Sequence, residues 1–298
     1  MDNVDFPRRK IMANTSVVGV IGGSGLYDIA GLKNQTTHEL DTPFGKPSSP
    51  LVRGELAGCP IVFLARHGIG HHISPSEVNY RANIYALKSM GVENVISISA
   101  CGSLREDFVP GEIVIPDQLV DFTRHRARTF FGEGMVVHIG SANPYCETLS
   151  AKVYQAVNQT GARVHDTGTL ITIEGPRFST RAESNLFRSW GISIIGMTAC
   201  PEAFLAREAE MCYTTMAHVT DYDVWHTSEE PVSLEMVLKT LKNNTGIAQK
   251  ALINLVENIG ESAECECKHA LADSFVTQRD IIPPETLKKV ELLVKKYF

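Results

Sequence analysis

Short apolar runs ending in glycine or other small residues alternate along this chain with segments whose apolar residues recur three and four apart. Runs at 16–23 ("SVVGVIGG"), 60–68 ("PIVFLARHG"), 94–103 ("NVISISACGS"), 168–176 ("GTLITIEGP") and 192–199 ("ISIIGMTA") have the length and β-branched content of buried strands. The other spacing predicts helices over 76–91, where Gly91 supplies the stop, over 146–161, and over 201–211, where Pro201 sits in the first turn. "TRAESNLFRSWG" adds a helix whose Thr180 and Glu183 stand in capping-box relation. "CYTTMAHVT" reads as a strand that runs into "DYD" at 221–223, and a long helical pattern follows over 232–260. Alternation of this kind predicts an α/β fold in a single domain, a three-layer helix–sheet–helix sandwich.

Composition narrows the picture. The 298 residues are 43% hydrophobic and 21% charged, an ordinary globular balance that can bury a large core. Net charge is −6 and no long basic run occurs, so no nucleic-acid partner is expected. The densest basic stretch, "TRHRART" at 123–129, reads as a solvated loop or a subunit contact. No apolar run reaches the ~18 residues of a membrane span, and the first residues lack a secretory h-region, so a cytoplasmic location without membrane contact is expected. Residues 1–16 read as a loose N-terminal extension with Met12 as an alternative start, 17–260 as the main domain, and 261–298 as a C-terminal extension with a helical tail.

Seven cysteines, five of them scattered, suit reduced thiols rather than a disulfide framework. Cys265 and Cys267 stand apart in "CECKH", a C-x-C that fits a strained redox pair, half of a metal site or a chance feature. No second C-x-C or C-x-x-C completes a zinc set, so a tail disulfide or no role is expected there.

In open α/β sheets ligands gather at strand ends. "IGGSGLYD" fails as a dinucleotide fingerprint because Asp28 stands where the third glycine is required, and it lacks the Gly-Lys-Ser/Thr of a P-loop. A tight turn remains, whose backbone N–H groups and Ser24 hydroxyl suit a phosphate. Arg66 offers a fork of donors fitted to a tetrahedral oxyanion, with His67 beside it. Ser99 and Ala100 add a hydroxyl and a backbone donor, and Thr198 adds a hydroxyl ahead of a helix N-terminus. Together these residues suit inorganic phosphate. His67 and His71 have metal-like spacing and His72 follows, but no carboxylate joins them, and no metal site is expected.

Asp221 and Asp223 pose the sharper question. On an extended strand they would share a face, about 7 Å apart. The major-groove edge of adenine shows an acceptor at N7 and a donor at the 6-amino group. Two carboxyls sharing one proton satisfy both, whereas a 6-oxopurine meets them with two acceptors. A proton at N7 stabilises the purine as a leaving group, which is general acid catalysis by a carboxyl whose pKa its neighbour and burial raise.

With these stretches in hand the chain resembles the 5′-methylthioadenosine phosphorylases, within the trimeric purine nucleoside phosphorylase superfamily. The resemblance spans about 17–256 and rests on "GVIGGSGLYD", "DTPFGKPS", "ARHG", "NYRANIYALK", "ACGSL", "TIEGPRFSTRAES", "GMTACPEAFLA" and "TDYDVW". It implies a nucleoside phosphorylase fold with a mixed central sheet. It also implies reversible phosphorolysis of methylthioadenosine, with inorganic phosphate as co-substrate and no other cofactor, in a homotrimer or a dimer of trimers.

Residue by residue, the resemblance implies phosphate contacts from Ser24, Arg66, His67, Ser99, Ala100 and Thr198. Phe178 packs against the purine and Met197 against the ribose. Asp221 is the acid at N7, assisted by Asp223. Val237 and Leu234 line an apolar methylthio pocket that His138 of a neighbouring subunit approaches. Ordinary nucleoside phosphorylases carry glutamate at the position of Ser179, asparagine at Asp221 and commonly histidine at Val237. The alternative reading, a purine nucleoside or methylthioinosine phosphorylase with 6-oxopurine specificity, is disfavoured by all three. A non-catalytic anion-binding module and a hydrolase are the remaining rivals. The "CECKH" tail resembles the C-x-C of some archaeal and thermophile relatives, where it accompanies redox stabilisation.

Overall fold

The computed structural model describes residues 16–23, 26, 28–226, 234–260 and 265–298, with the backbone alone for 234–244. The N-terminal extension therefore lies almost wholly outside the described residues. The chain opens with β1 (Val17–Gly22), β2 (Lys33–His38), β3 (Leu51–Leu56), β4 (Cys59–Ala65), α1 (Tyr80–Ser89) and β5 (Val92–Ser103). It continues through β6 (Ile113–Val114), β7 (Gln118–Phe122), α2 (Glu147–Asn158), β8 (Val164–His165), β9 (Thr169–Ile173) and α3 (Arg181–Ser189). Then come β10 (Ile194–Gly196), α4 (Ala199–Glu208), β11 (Cys212–Asp221), α5 (Leu234–Asn258) and α6 (Pro284–Val294).

The expected strands and helices all form, and their ends are set by local chemistry. Asn79 caps α1 by accepting from the Ala82 N–H, and Gly91 leaves the helix at φ +80°. In α3 the capping box closes in both directions: Thr180 Oγ1 accepts from Glu183 N at 3.2 Å, and Glu183 Oε2 accepts from Thr180 N at 2.7 Å.

Among the described residues eleven strands make one mixed sheet, in the order β2-β3-β4-β1-β5-β10-β9-β7, with β11, β6 and β8 continuing from the other edge of β5. The β1 pairings with β4 and β5, and the β5 pairing with β11, are parallel, whereas β10 runs antiparallel to β5. The layers follow from the two-residue period of the strands. Val62 and Leu64 pack with the buried faces of α1, α4 and α6, while Ile61 and Phe63, which alternate with them, pack with α2 and α5. Both faces are covered, and the three-layer sandwich forms.

Five strands, β2, β3, β6, β7 and β8, have no clear sequence pattern. β2 ("KNQTTH") is polar and almost wholly exposed, so neither alternation nor an apolar run marks it. β6 and β8 are two residues each. Residues 265–298, read as an extension, pack onto the main body: Leu271, Val290, Leu293 and Val294 join the same core as α1 and α4.

β5 is the organising strand. On one edge it pairs with β1 as far as Ser97 and with β10 from Gly102 onward, so the backbone between them has no strand partner there. On the opposite edge it pairs with β11 from Asn94–Cys212 to Gly102–Asp221, with a register shift at Thr220, where β11 carries one extra residue. β11 is buried at every position.

One member of β11 makes stability depend on pH. His218 is 1% exposed, and neither ring nitrogen has a hydrogen-bond partner among the described residues. Burial pushes its imidazole down to about 4, against roughly 6.5 in the unfolded chain. Above pH 6.5 the ring is neutral in both states and makes no pH-dependent contribution. As pH falls from 6.5 to 4 the unfolded chain binds a proton that the folded chain refuses, which removes on the order of 3 kcal/mol. Denaturant unfolding at fixed protein concentration, at pH 7 and pH 4, should therefore show a smaller loss of stability for His218→Met than for the parent. Equal losses would remove His218 as the cause.

Candidate active site

The strand ends singled out in the sequence converge around the C-terminal half of β5. The Arg66 N–H donates to Gly22 O at 3.0 Å, which joins the "ARHG" turn to the end of β1. A Cβ built on Gly196 would have Ala100 O as its nearest contact at 3.8 Å, so the Met197–Thr198 turn passes beside the open stretch of β5. Two residues further on, about 7 Å along the strand, Gly102 faces both acids. A Cβ there would meet Asp221 Oδ1 at 3.0 Å, Ile195 Cγ2 at 3.1 Å and Asp223 Cβ at 3.2 Å, so any side chain at this position would crowd both acids.

At the phosphate end the structure changes the role expected of Arg66. The side chain is 2% exposed and its guanidinium is turned into the protein. Nε and Nη2 form a two-pronged ion pair with Glu202 at 2.8 and 2.9 Å, Nη2 also reaches Ser97 Oγ at 2.7 Å, and Nη1 donates to Ile98 O at 3.2 Å. These bonds account for all but one N–H of Nη1. Desolvation alone would lower its pKa, but the Glu202 carboxylate outweighs that and raises it above the ordinary arginine value. Arg66 therefore braces the site and is not a free fork for an anion.

The other donors remain available. Thr198 is the N-cap residue of α4, yet its side chain makes no capping bond. Ser99 and Ala100 sit at the gap between β1 and β10, half-buried. His67 Nδ1 lies 2.9 Å from Ile73 O, and its ring stacks on His71 with centroids 4.4 Å apart. Burial first, and then the Arg66 charge, push His67 down to about 4. The ring is therefore neutral at pH 7, and because a carbonyl only accepts, Nδ1 carries the proton and Nε2 is a bare acceptor. Ser24 lies outside the described residues, as do the side chains of Leu234 and Val237.

At the base end both acids are buried, each 7% exposed. Their geometry differs from the extended pair expected. β11 stops at Asp221, and Asp223 opens a short 3-10 turn (Asp223–Trp225) with φ +52°, a left-handed conformation that aspartate tolerates. The Asp223 N–H donates to Asp221 Oδ1 at 2.8 Å, and Thr220 Oγ1 donates to Asp221 Oδ2 at 2.6 Å. No proton is shared between the carboxyls, because each Asp221 oxygen already faces another donor. Burial is the leading cause that raises the Asp221 pKa, and the neighbouring Asp223 charge is the smallest of the causes. Asp223 is raised by burial as well, opposed by the hydroxyls of Ser184 and Ser179 beside it. None of these reaches hydrogen-bond geometry: Asp223 Oδ2, Ser179 Oγ and Ser184 Oγ are all buried without a partner among the described residues.

Phe178 is 40% exposed, at the turn before α3. Met197 packs beside Gly175, where a Cβ would lie 2.7 Å from its sulfur. His138 is exposed on this chain. A cleft of about 410 Å3 lined by Arg105, Asp107, His165, Thr167 and Ser193 contains none of these residues.

Three supporting residues escaped the sequence reading. Glu202 is fully buried and also accepts from Tyr213 Oη at 2.9 Å. Arg126, placed in a solvated basic loop by composition, is 7% exposed. Its guanidinium binds Met197 O at 2.7 Å, Cys200 O at 2.6 Å, Glu174 O at 2.8 Å and Tyr80 Oη at 3.0 Å, fixing the turn that carries Thr198. Glu174 accepts from Ser76 and from the backbone N–H groups of Arg124 and His125. Burial would raise its carboxyl, but these bonds hold it down at about 2.

A family model described as the Phosphorylase superfamily matches residues 17–258. The chain belongs to that superfamily. The S-methyl-5'-thioadenosine phosphorylase of Geobacter sulfurreducens is 51% identical over 282 residues, 94% of this chain and 99% of the relative. That of Hyperthermus butylicus is 49% identical over 276 residues, 91% of this chain and 99% of the relative. Among solved structures, a methylthioadenosine phosphorylase from an antarctic soil metagenomic library superimposes with a TM-score of 0.90 at 43% identity, covering 94% of this chain and 99% of its own. A mutant adenosine/methylthioadenosine phosphorylase of Schistosoma mansoni, in complex with methylthioadenosine, gives 0.81 at 37% identity, covering 89% and 99%.

The brace makes a separable prediction. Glu202→Leu leaves a buried guanidinium unpaired and should cost about 3–5 kcal/mol in denaturant unfolding. Adding Arg66→Met should recover most of that stability without restoring phosphorylase activity. A double variant as unstable as the single one would contradict the assignment.

Proposed function

We propose that the protein catalyses the reversible phosphorolysis of S-methyl-5'-thioadenosine, giving adenine and 5-methylthioribose 1-phosphate. The observation that carries this reading is the buried Asp221–Asp223 end of β11, one β5 segment away from the oxyanion donors. The relatives named above support the same substrate.

Phosphate would sit at the open edge of β5, taking donors from Ser99, Ala100, Thr198 and Ser24, with the Arg66 charge behind it. His67 Nε2, a bare acceptor, suits the remaining hydroxyl of monohydrogen phosphate. No metal or organic cofactor is required by this chemistry. As the C1′–N9 bond lengthens, positive charge develops on the sugar and the phosphate stabilises it before attacking C1′. The bonding electrons enter the purine, and Asp221, kept protonated above its usual range by burial, delivers its proton to N7.

Asp223 Oδ2 supplies the base preference. A buried acceptor without a donor costs about 1–3 kcal/mol, which a 6-amino group relieves and a 6-oxo group does not. Phe178 is assigned to the purine face, Met197 to the ribose, and Val237 to the methylthio pocket. His138, exposed here, is assigned to the site of a neighbouring copy. A homotrimer or dimer of trimers fits the exposed aromatic patch of Phe122 and Trp190, and a cytoplasmic setting fits the reduced thiols.

Release of adenine from methylthioadenosine should require phosphate and should exceed base release from inosine and methylthioinosine. Adenine release without phosphate would mean hydrolysis, and equal use of 6-oxopurines would overturn the role of Asp223. Asp221→Asn should lower kcat on methylthioadenosine by roughly 10²- to 10⁴-fold. Full activity in that variant would remove Asp221 as the acid.

A further inference from the structure

All seven cysteines are free thiols, and four of them, distant in sequence, converge. Cys146 is the N-cap residue of α2, and its N–H donates to Tyr213 O at 2.9 Å, zipping the start of the helix to the start of β11. Cys212 is the first residue of that strand. Cys265 and Cys267 come from the 3-10 turn that begins the C-terminal segment (Glu266–His269). The four Sγ atoms all lie within 4.8 Å of one another, and Cys146 and Cys265 approach to 3.5 Å. Cys146, Cys212 and Cys267 are buried and Cys265 is half-buried.

Those separations match one chemistry better than its rivals. A disulfide would bring two sulfurs to about 2.05 Å. A tetrahedral zinc ion with Zn–S bonds of about 2.3 Å spaces its sulfurs roughly 3.8 Å apart. Plain hydrophobic packing does not require four polarizable sulfurs from three separate chain segments to meet at one point.

We propose that Cys146, Cys212, Cys265 and Cys267 form a tetrathiolate site for one structural Zn2+. Binding releases four protons to solvent and leaves a centre of net charge −2. Arg207 Nη1 stands 3.9 Å from Cys267 Sγ, and the N-terminus of α2 points its unpaired N–H groups towards Cys146; both favour that charge. With four protein ligands the ion has no open position, so it is a clip and not a catalyst. It fastens the C-terminal segment, whose α6 completes the core over α1, to the strand that ends in Asp221. The sequence hides this set because only two ligands are near neighbours. The proposal does not depend on which substrate the active site takes.

The test is the metal content of the full-length protein purified anaerobically under reducing conditions with zinc present. About one zinc per chain is expected, and a mercurial that blocks thiols should release it. Cobalt-substituted protein should show the intense visible bands of tetrahedral coordination with thiolate-to-cobalt charge transfer. Cys265→Ser and Cys267→Ser, in the C-terminal turn, should lose stoichiometric zinc and several degrees of Tm while still turning over nucleoside at moderate temperature. A parent protein without zinc, or with Cys146–Cys212 and Cys265–Cys267 recovered as disulfides under those conditions, would overturn the proposal. So would either serine variant retaining one zinc per chain.

Discussion

The Arg66–Glu202 ion pair is the contact on which the geometry of the site depends. Removing two charges from water costs several kcal/mol per ion, so the pair survives only because nearly every donor and acceptor is matched. Glu202 brings α4 and, through Tyr213, β11. Arg66 brings the end of β4 and binds Ser97 and Ile98 on β5. One buried contact therefore registers the strand ends and the helix that carry the oxyanion donors. Arg126 repeats the arrangement at smaller scale, gathering the carbonyls of Glu174, Met197 and Cys200.

The sheet supplies the rest. Because β5 exchanges β1 for β10 part-way along one edge, a short length of extended backbone is left without a strand partner inside a covered sheet. Its other edge stays paired with β11, which holds the acids at a fixed distance from that gap. An anion end and an acid end separated by about 7–10 Å of rigid strand need no hinge to position them.

The chain announces the parts of this design that are local. Apolar runs locate β1, β4, β5, β9, β10 and β11, Thr180 and Glu183 announce their own cap, and the small residues of "SACGS" mark the strand whose Gly102 leaves room for the acids. Non-local facts stay hidden. Arg66 looks like an anion fork until the partner 136 residues away is seen, and Arg126 looks solvated because its neighbours in sequence are. The i, i+2 alternation fails at Asp223 because the strand ends two residues before it, and a positive φ turns the chain. The cysteines read as a scattered set plus a lone C-x-C, since spacing cannot reveal ligands drawn from a helix start, a strand start and a distant turn.

Glu202 also bears on the ionisation of Asp221. An unpaired arginine at the back of an anion site would draw the acid towards its charged form. Glu202 neutralises Arg66 within the core, and the pKa of Asp221 is then set by burial against two hydrogen bonds, with no cation among its causes. At the opposite end of β11 the thiol of Cys212 is also raised, by the neighbouring thiols of Cys146 and Cys267 first and by burial after them. The divalent ion proposed there would reverse that preference, whereas no cation stands among the causes that shift Asp221. The two ends of one buried strand would then hold opposite ionisation states, decided by whether a positive charge stands nearby.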